Sequence, residues 1–378
     1  MENKNYQFPE EFLSKSLNER LEYFQKLTIN HRIMQHTINE LLEAIYEPAG
    51  SSIIMVFGPS GVGKTTLKRL VEMKVTEKLL SQLKVDRGMV PIAGIELVSP
   101  DLGNFNWKDY YRRSLEALYE PMINNKIDYE KRMDPEKSQK RISPFTIRTA
   151  PELRKSLEKA FMHRRPIAFI IDEAQHFAKM STGKRLQDQL DSIKSLANMT
   201  NTTHILIGTY DLLSFANLSG QLSRRTTDLN FPRYTLEDKQ DIEDFQQIIY
   251  SLQNKLPLRE QTDLLEHWEF IYERSVGCVG ILKNWLDRCL FGVLKNGKEK
   301  IELEELEKYA LSIDKVEKII SEILLGEAMI TGDAEKRTRV QCMLGFNNIE
   351  ATGEVENIKK KTKHVVGKRN PKRDQVGL

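Results

Sequence analysis

Residues 51–66 read Ser-Ser-Ile-Ile-Met-Val-Phe-Gly-Pro-Ser-Gly-Val-Gly-Lys-Thr-Thr. Five apolar residues, Ile53 to Phe57, predict a buried strand. They run into Gly58-Pro-Ser-Gly-Val-Gly-Lys64-Thr65, a full match to G-x-x-x-x-G-K-[ST]. Beyond it Leu67, Leu70, Val71, Lys74 and Val75 recur at helical steps. Strand, glycine loop and helix is the context in which this motif carries a phosphate site. Backbone N–H groups of Gly58, Pro59, Ser60, Gly61, Val62, Gly63, Lys64, Thr65 and Thr66, proline excepted, would curl around phosphate oxygens at a helix N-terminus. Lys64 can reach the β- and γ-phosphates of ATP, and the Thr65 hydroxyl can ligate Mg²⁺.

A second half of the site follows about 100 residues later, in Ala168-Phe-Ile-Ile-Asp172-Glu173. An apolar strand delivers two carboxylates at its C-terminal end, where open α/β sheets hold their ligands. Asp172 is the candidate Mg²⁺ holder and Glu173 the candidate general base that polarises water. Thr209 ends another predicted strand, where a hydroxyl could position water or merely cap the strand. Arg224 and Arg225 form a pair that could be offered to a neighbouring subunit's γ-phosphate. On spacing alone, a solvated basic pair is the favoured reading of those two. Lys283, in a helical region, could touch the nucleotide or lie exposed on its helix.

The chain has 378 residues, 40% hydrophobic and 29% charged, enough for one large or two ordinary domains. Cys278, Cys289 and Cys342 form neither a disulfide framework nor metal-ligand spacing, and His163, His176 and His204 lack such spacing too. With no apparent signal peptide, a reducing bacterial cytoplasm is expected. No apolar run approaches the roughly 20 residues that span a bilayer, so no membrane partner is expected. Net charge is +3, unevenly spread. Residues 359–378 hold eight Lys/Arg against Asp374, a +7 segment, which leaves −4 on everything before it.

Two helical stripes, Glu10 to Leu27 and residues 30–46, precede the loop and make residues 1–50 an N-terminal helical segment. Val90 to Val98, Pro166 to Ile171 and His204 to Ile207 read as further strands, with helices at 107–119, 151–162 and 184–199. This alternation implies parallel pairing and an α/β nucleotide domain over 51–235. Residues 121–148 read as a charged surface insertion. Residues 236–328 carry only helical stripes, a helical lid, and 329–378 read as a flexible basic tail.

Together these residues resemble the AAA+ ATPases, and among them the TnsC/TniB group, which regulates target selection in DNA transposition. The resemblance is carried by Gly58 to Thr66, Asp172-Glu-Ala-Gln-His176, Ile207-Gly-Thr-Tyr-Asp-Leu-Leu213 and Gln221-Leu-Ser-Arg-Arg225, with the helical lead-in at 30–46. It implies a parallel five-stranded sheet flanked by helices, with a small helical lid. It implies ATP-dependent rings or filaments on duplex DNA that link a TniQ/TnsD-like targeting factor, in some systems a CRISPR-associated one, to a transposase. It also implies Thr209 as first sensor, Arg225 with Arg224 as finger in trans, and DNA contacts near Lys108, Arg112 and Arg113. Lys283 departs from the arginine common at its position in that family. The alternative is an ATP-gated scaffold or signalling switch that binds no DNA.

Overall fold

The apolar strand before the glycine loop is β1 (Ile53–Phe57), buried along its whole length. The computed structural model describes residues 7–99, 105–123, 149–178, 184–213, 226–260, 262–331 and 333–344. β2 (Ile92–Glu96), β3 (Ala168–Asp172), β4 (Thr203–Gly208) and β5 (Thr226–Asn230) complete a sheet in the order β2-β3-β4-β1-β5. Every pairing is parallel, as the strand–helix alternation requires. Phe57 stands opposite Gly208 and Asn230, and Glu96 opposite Asp172. The register therefore ends the strands along one edge, and the loops that leave it lie side by side. This is the AAA+ P-loop fold.

Strand side chains alternate between two apolar layers. Ile54, Val56, Ile170 and Ile207 face one layer, which holds Met34, Ile38 and Leu41 of α2 (Arg32–Tyr46) and Leu67 and Val71 of α3 (Lys64–Lys78). Ile53, Met55, Phe57, Phe169 and Ile171 face the other. There they meet Leu115 of α5 (Trp107–Ala117), Leu157 and Phe161 of α6 (Ala150–Arg164) and Ile193 of α8 (Lys184–Thr200). Each large side chain buried this way contributes about 2 kcal/mol. Two short helices, α4 (Leu80–Val85) and α7 (Gln175–Ala178), fill connections.

The helical region comprises α9 (Lys239–Gln253), α10 (Trp268–Ser275), α11 (Val279–Lys295), α12 (Leu303–Tyr309) and α13 (Ile313–Thr331). Its side chains Phe245, Leu282, Trp285 and Leu286 belong to the same apolar layer as Ile54 and Val56. Residues 1–330 form one compact unit. Residues 331–378 form a second, in which α14 (Asp333–Met343) is helical. That helix stands where the sequence predicts a flexible tail; residues 345–378 and the insertion at 124–148 lie outside the described residues.

Two other differences have local causes. The stripe from Glu10 to Leu27 breaks into a 3₁₀ turn (Glu10–Ser14) and α1 (Leu17–Lys26). Ser16 starts the second helix as its N-cap, and the Glu19 carboxylate accepts from the Ser16 N–H (3.0 Å), a capping box. Tyr119, inside the helix predicted at 107–119, lies past the end of α5 at φ 55° and is exposed. No helix among the described residues is long and apolar enough to cross a membrane.

Candidate nucleotide site

The loop after β1 is shaped by its glycines. Gly61 and Gly63 take φ of 80° and 115°, the left-handed region that side chains resist. At Gly58 a Cβ would stand 2.1 Å from the Phe231 carbonyl oxygen, so only glycine lets the loop pass β5. The Gly58 N–H donates to Gly208 O (3.3 Å), which ties this loop to the end of β4. Gly63 is the N-cap of α3 and has no side chain to offer the first-turn N–H groups, and that turn holds no acid. Those donors and the positive end of the helix dipole are left for an anion.

Beneath the loop, α2 is anchored by its N-cap His31, whose Nδ1 accepts from Met34 N–H (3.4 Å) and from the Tyr234 hydroxyl (2.9 Å). Burial pushes the imidazole down to about 4, so it stays the neutral acceptor this cap needs. The Met34 methyl then sits 3.3 Å from where a Gly63 Cβ would be.

Lys64 opens α3 and is only 7% exposed. Its Nζ donates to Gly58 O (3.1 Å) and Pro59 O (2.7 Å). Burial pushes the ammonium down to about 8, and the charges of Glu173 and Asp172 pull it partly back. Asp172 ends β3 and is 2% exposed. Burial raises its carboxyl above the usual range, against the hydrogen bond it accepts from Glu173 N–H (2.9 Å) and the pull of Lys68. A buried ammonium and a buried carboxylate, each short of compensating charge, fit phosphates and a divalent cation respectively. Thr65 is exposed on the first turn of α3, as a hydroxyl reaching a cation would be. Among the described residues no group of three or more His, Cys, Asp or Glu could hold a metal alone. Mg²⁺ here would need the phosphates as co-ligands.

Glu173 follows at φ 54°, a left-handed turn that swings its carboxylate off the strand axis. Gln175, 3% exposed, donates from Nε2 to Glu173 Oε2 and accepts from Thr209 N–H at Oε1 (3.2 Å). Thr209 keeps its hydroxyl on Asp211 Oδ2 (3.2 Å). Sequence reading missed Gln175; its only signal was its place in the Asp-Glu-Ala-Gln run.

From the helical region, the start of α11 lies on the loop. Ile281 N–H donates to Gly61 O (3.2 Å), and a Cβ on Gly280 would be 2.4 Å from that oxygen. Cys278, the buried N-cap of α11, has its thiol pushed up to about 12 by burial, so it is a neutral neighbour of Lys64. Of the two readings open for Lys283, contact with the nucleotide or an exposed place on its helix, the structure shows neither. The Lys283 Nζ donates to Gln25 O (2.7 Å) and Leu27 O, capping the C-terminal carbonyls of α1. Arg224 and Arg225 lie outside the described residues.

On α5, Tyr110 and Tyr111 are buried against the sheet-side layer. Arg112 pairs with Glu116 (3.1 Å) and Arg113 with Asp109 (2.7 Å), each one helical turn apart. Among the described residues Lys108 is left as the uncompensated cation of that set, so α5 presents about one net positive charge rather than three.

Residues 48–215 match a family model described as an AAA domain. This stretch is an AAA-family ATPase domain. The AAA match spans the glycine loop, Asp172-Glu173 and Thr209, and ends before the helical region. Similar solved structures include the ORC1 protein of Aeropyrum pernix in complex with DNA, at TM-score 0.53 and 16% identity, covering 92% of this chain and 85% of that one. The ORC2 protein of the same organism, in ADPNP-ADP complexes, gives 0.49 and 17% over 75% and 69%. Domain III of the Thermotoga maritima replication initiation protein DnaA gives 0.41 and 14% over 76% and 95%. At such identities the likeness to ORC1 is one of fold. No curated protein matches the sequence.

Proposed function

We propose that this chain is an ATP-dependent regulator of DNA transposition that assembles as rings or filaments on duplex DNA, marks a target site and activates a transposase. The observation that carries the nucleotide half is the uncapped N-terminus of α3 beside the buried pair Lys64 and Asp172, at one edge of an AAA domain. Support for the DNA half comes from the Asp172 to His176 run, the Gln221 to Arg225 run and a fold shared with a protein solved on DNA.

In this reading Gly58 to Thr66 cradle the phosphates, with Lys64 turning from the Gly58 and Pro59 carbonyls toward them. Thr65 and Asp172 hold Mg²⁺, which when bound neutralises charge on the transferred phosphoryl group. Glu173 accepts a proton from the attacking water. Thr209 orients that water, and Arg225, with Arg224, reaches a neighbouring subunit's nucleotide. Residues 51–235 act as the nucleotide domain and 236–328 as its lid. Strand cutting and target reading fall to the transposase and a TniQ/TnsD-like targeting factor, in a bacterial cytoplasm.

A second reading, an ATP-gated protein switch without DNA, draws support from the self-neutralised charges of α5. Filter binding with duplex DNA, with and without a non-hydrolysable ATP analogue, separates the two. Analogue-dependent retention supports the first reading. Equal, weak retention in both conditions supports the switch.

A further inference from the structure

The proposed base, Glu173, sits on a turn closed by its own backbone bonds and joined to β4 at Ile207. Its own N–H donates to Asp172 Oδ1, and the next N–H, of Ala174, donates to Ile207 O (2.8 Å). The turn continues with His176 N–H to Glu173 O (3.0 Å) and Phe177 N–H to Ala174 O (3.0 Å). The backbone of Glu173 is thereby held at a φ that costs a non-glycine residue about 1 kcal/mol. None of these bonds fixes the carboxylate itself.

Gln175 does. A buried primary amide offers two donors and an acceptor and must satisfy them. Here the amide nitrogen takes the Glu173 carboxylate, and the amide oxygen takes the backbone of Thr209. Room for it is made by Gly208, where a Cβ would lie 2.4 Å from Gln175 Oε1. A charge-assisted bond to a carboxylate is about twice as strong as a neutral one, so it competes well against rotation of the free carboxylate.

We infer that Gln175 is a positioning residue that ties the Glu173 carboxylate to the backbone of the loop after β4, so that base and loop move as one. This rests on the reading of Glu173 as the base. A shift at Thr209 then draws Glu173 with it through a single side chain. Gln175 touches neither water nor phosphate in this role, and it acts only through Glu173.

The test uses Gln175→Glu in the full chain. Assayed at alkaline pH, where both carboxyls are ionised, the substituted carboxylate still accepts from Thr209 N–H but cannot donate to Glu173, so the fold keeps its acceptor and the base loses its tether. The expected result is a fall in kcat of about 10- to 100-fold with KM for ATP within about twofold, the size of effect a misplaced catalytic group gives. Combined with Glu173→Gln, the second substitution should change the remaining rate by less than about twofold, because it acts through a base already removed. Gln175→Leu, which removes both bonds, should show the same kcat loss together with a lower melting temperature. Wild-type kcat in Gln175→Glu overturns the inference, as does a full-sized loss repeated in the Glu173→Gln background. Glu173→Gln hydrolysing at the wild-type rate fells the base reading itself and this inference with it, an outcome distinguishable from the other two.

Discussion

Replacing Lys64 with methionine removes a buried charge while nearly keeping its volume. In the folded protein the ammonium is pushed from an ordinary 10.5 to about 8, chiefly by burial. That difference makes the buried charge cost about 3 kcal/mol in the nucleotide-free protein. The sign follows from linkage: below about pH 8 folded and unfolded chains both hold the proton, and the cost is fully present. Between about 8 and 10.5 the unfolded chain holds more protons than the folded one, so stability rises with pH and the cost is relieved. The Lys64→Met variant also forfeits the bonds to Gly58 O and Pro59 O, about 1 kcal/mol each. Nucleotide-free Lys64→Met should therefore be more stable than wild type by about 1 kcal/mol at pH 7, and less stable by about 2 kcal/mol near pH 10.5. Urea unfolding across that range measures the difference, in which groups common to both proteins cancel. ATP with Mg²⁺ should raise the melting temperature of wild type and leave the variant's unchanged, since only a state that binds ligand is stabilised by it. A pH-independent difference would refute the buried-charge argument. An unchanged ATP affinity would refute the place of Lys64 at the phosphates.

Gly61→Ala should cost about 2–4 kcal/mol, from a left-handed φ and a Cβ 2.5 Å from Ile281 Cγ1, with weaker ATP binding. Gly297→Ala is the control: its φ is 68° but nothing lies within 4 Å, so it should cost only about 1 kcal/mol by thermal unfolding. If α5 faces DNA, Lys108→Ala should lower the salt slope of binding by about one and Glu116→Gln, which frees Arg112, should raise it by about one. Salt plots unchanged by both would move the DNA surface off α5, the basic residues 359–378 being the next to test.

The sheet was readable because its signals are local and mutually consistent. Ile53–Phe57 and Ala168–Asp172 are short apolar runs ended by chemistry-bearing residues, and both lie where the runs place them. The acidic pair and the glycine loop come together because parallel strands in register end at one edge. What was not readable depends on side-chain direction across long sequence separations. Lys283 reaches α1 more than 250 residues earlier in the chain, a contact no periodicity encodes. The packing of Ile281 on Gly61 has the same character. The pairing of Arg112 with Glu116 is legible in the sequence, since a spacing of four puts both on one helical face. Ser16 and Glu19 likewise spell a capping box that marks the break before α1.

In the proposed activity Glu173 moves a proton at a site that binds ATP without it. Steady-state phosphate release at saturating ATP and Mg²⁺, compared between wild type and Glu173→Gln of equal ATP affinity, tests this most directly. Glu173→Gln keeps the side-chain shape and removes the base, so release should fall by at least about 100-fold while binding is retained. Release at the wild-type rate would contradict the account.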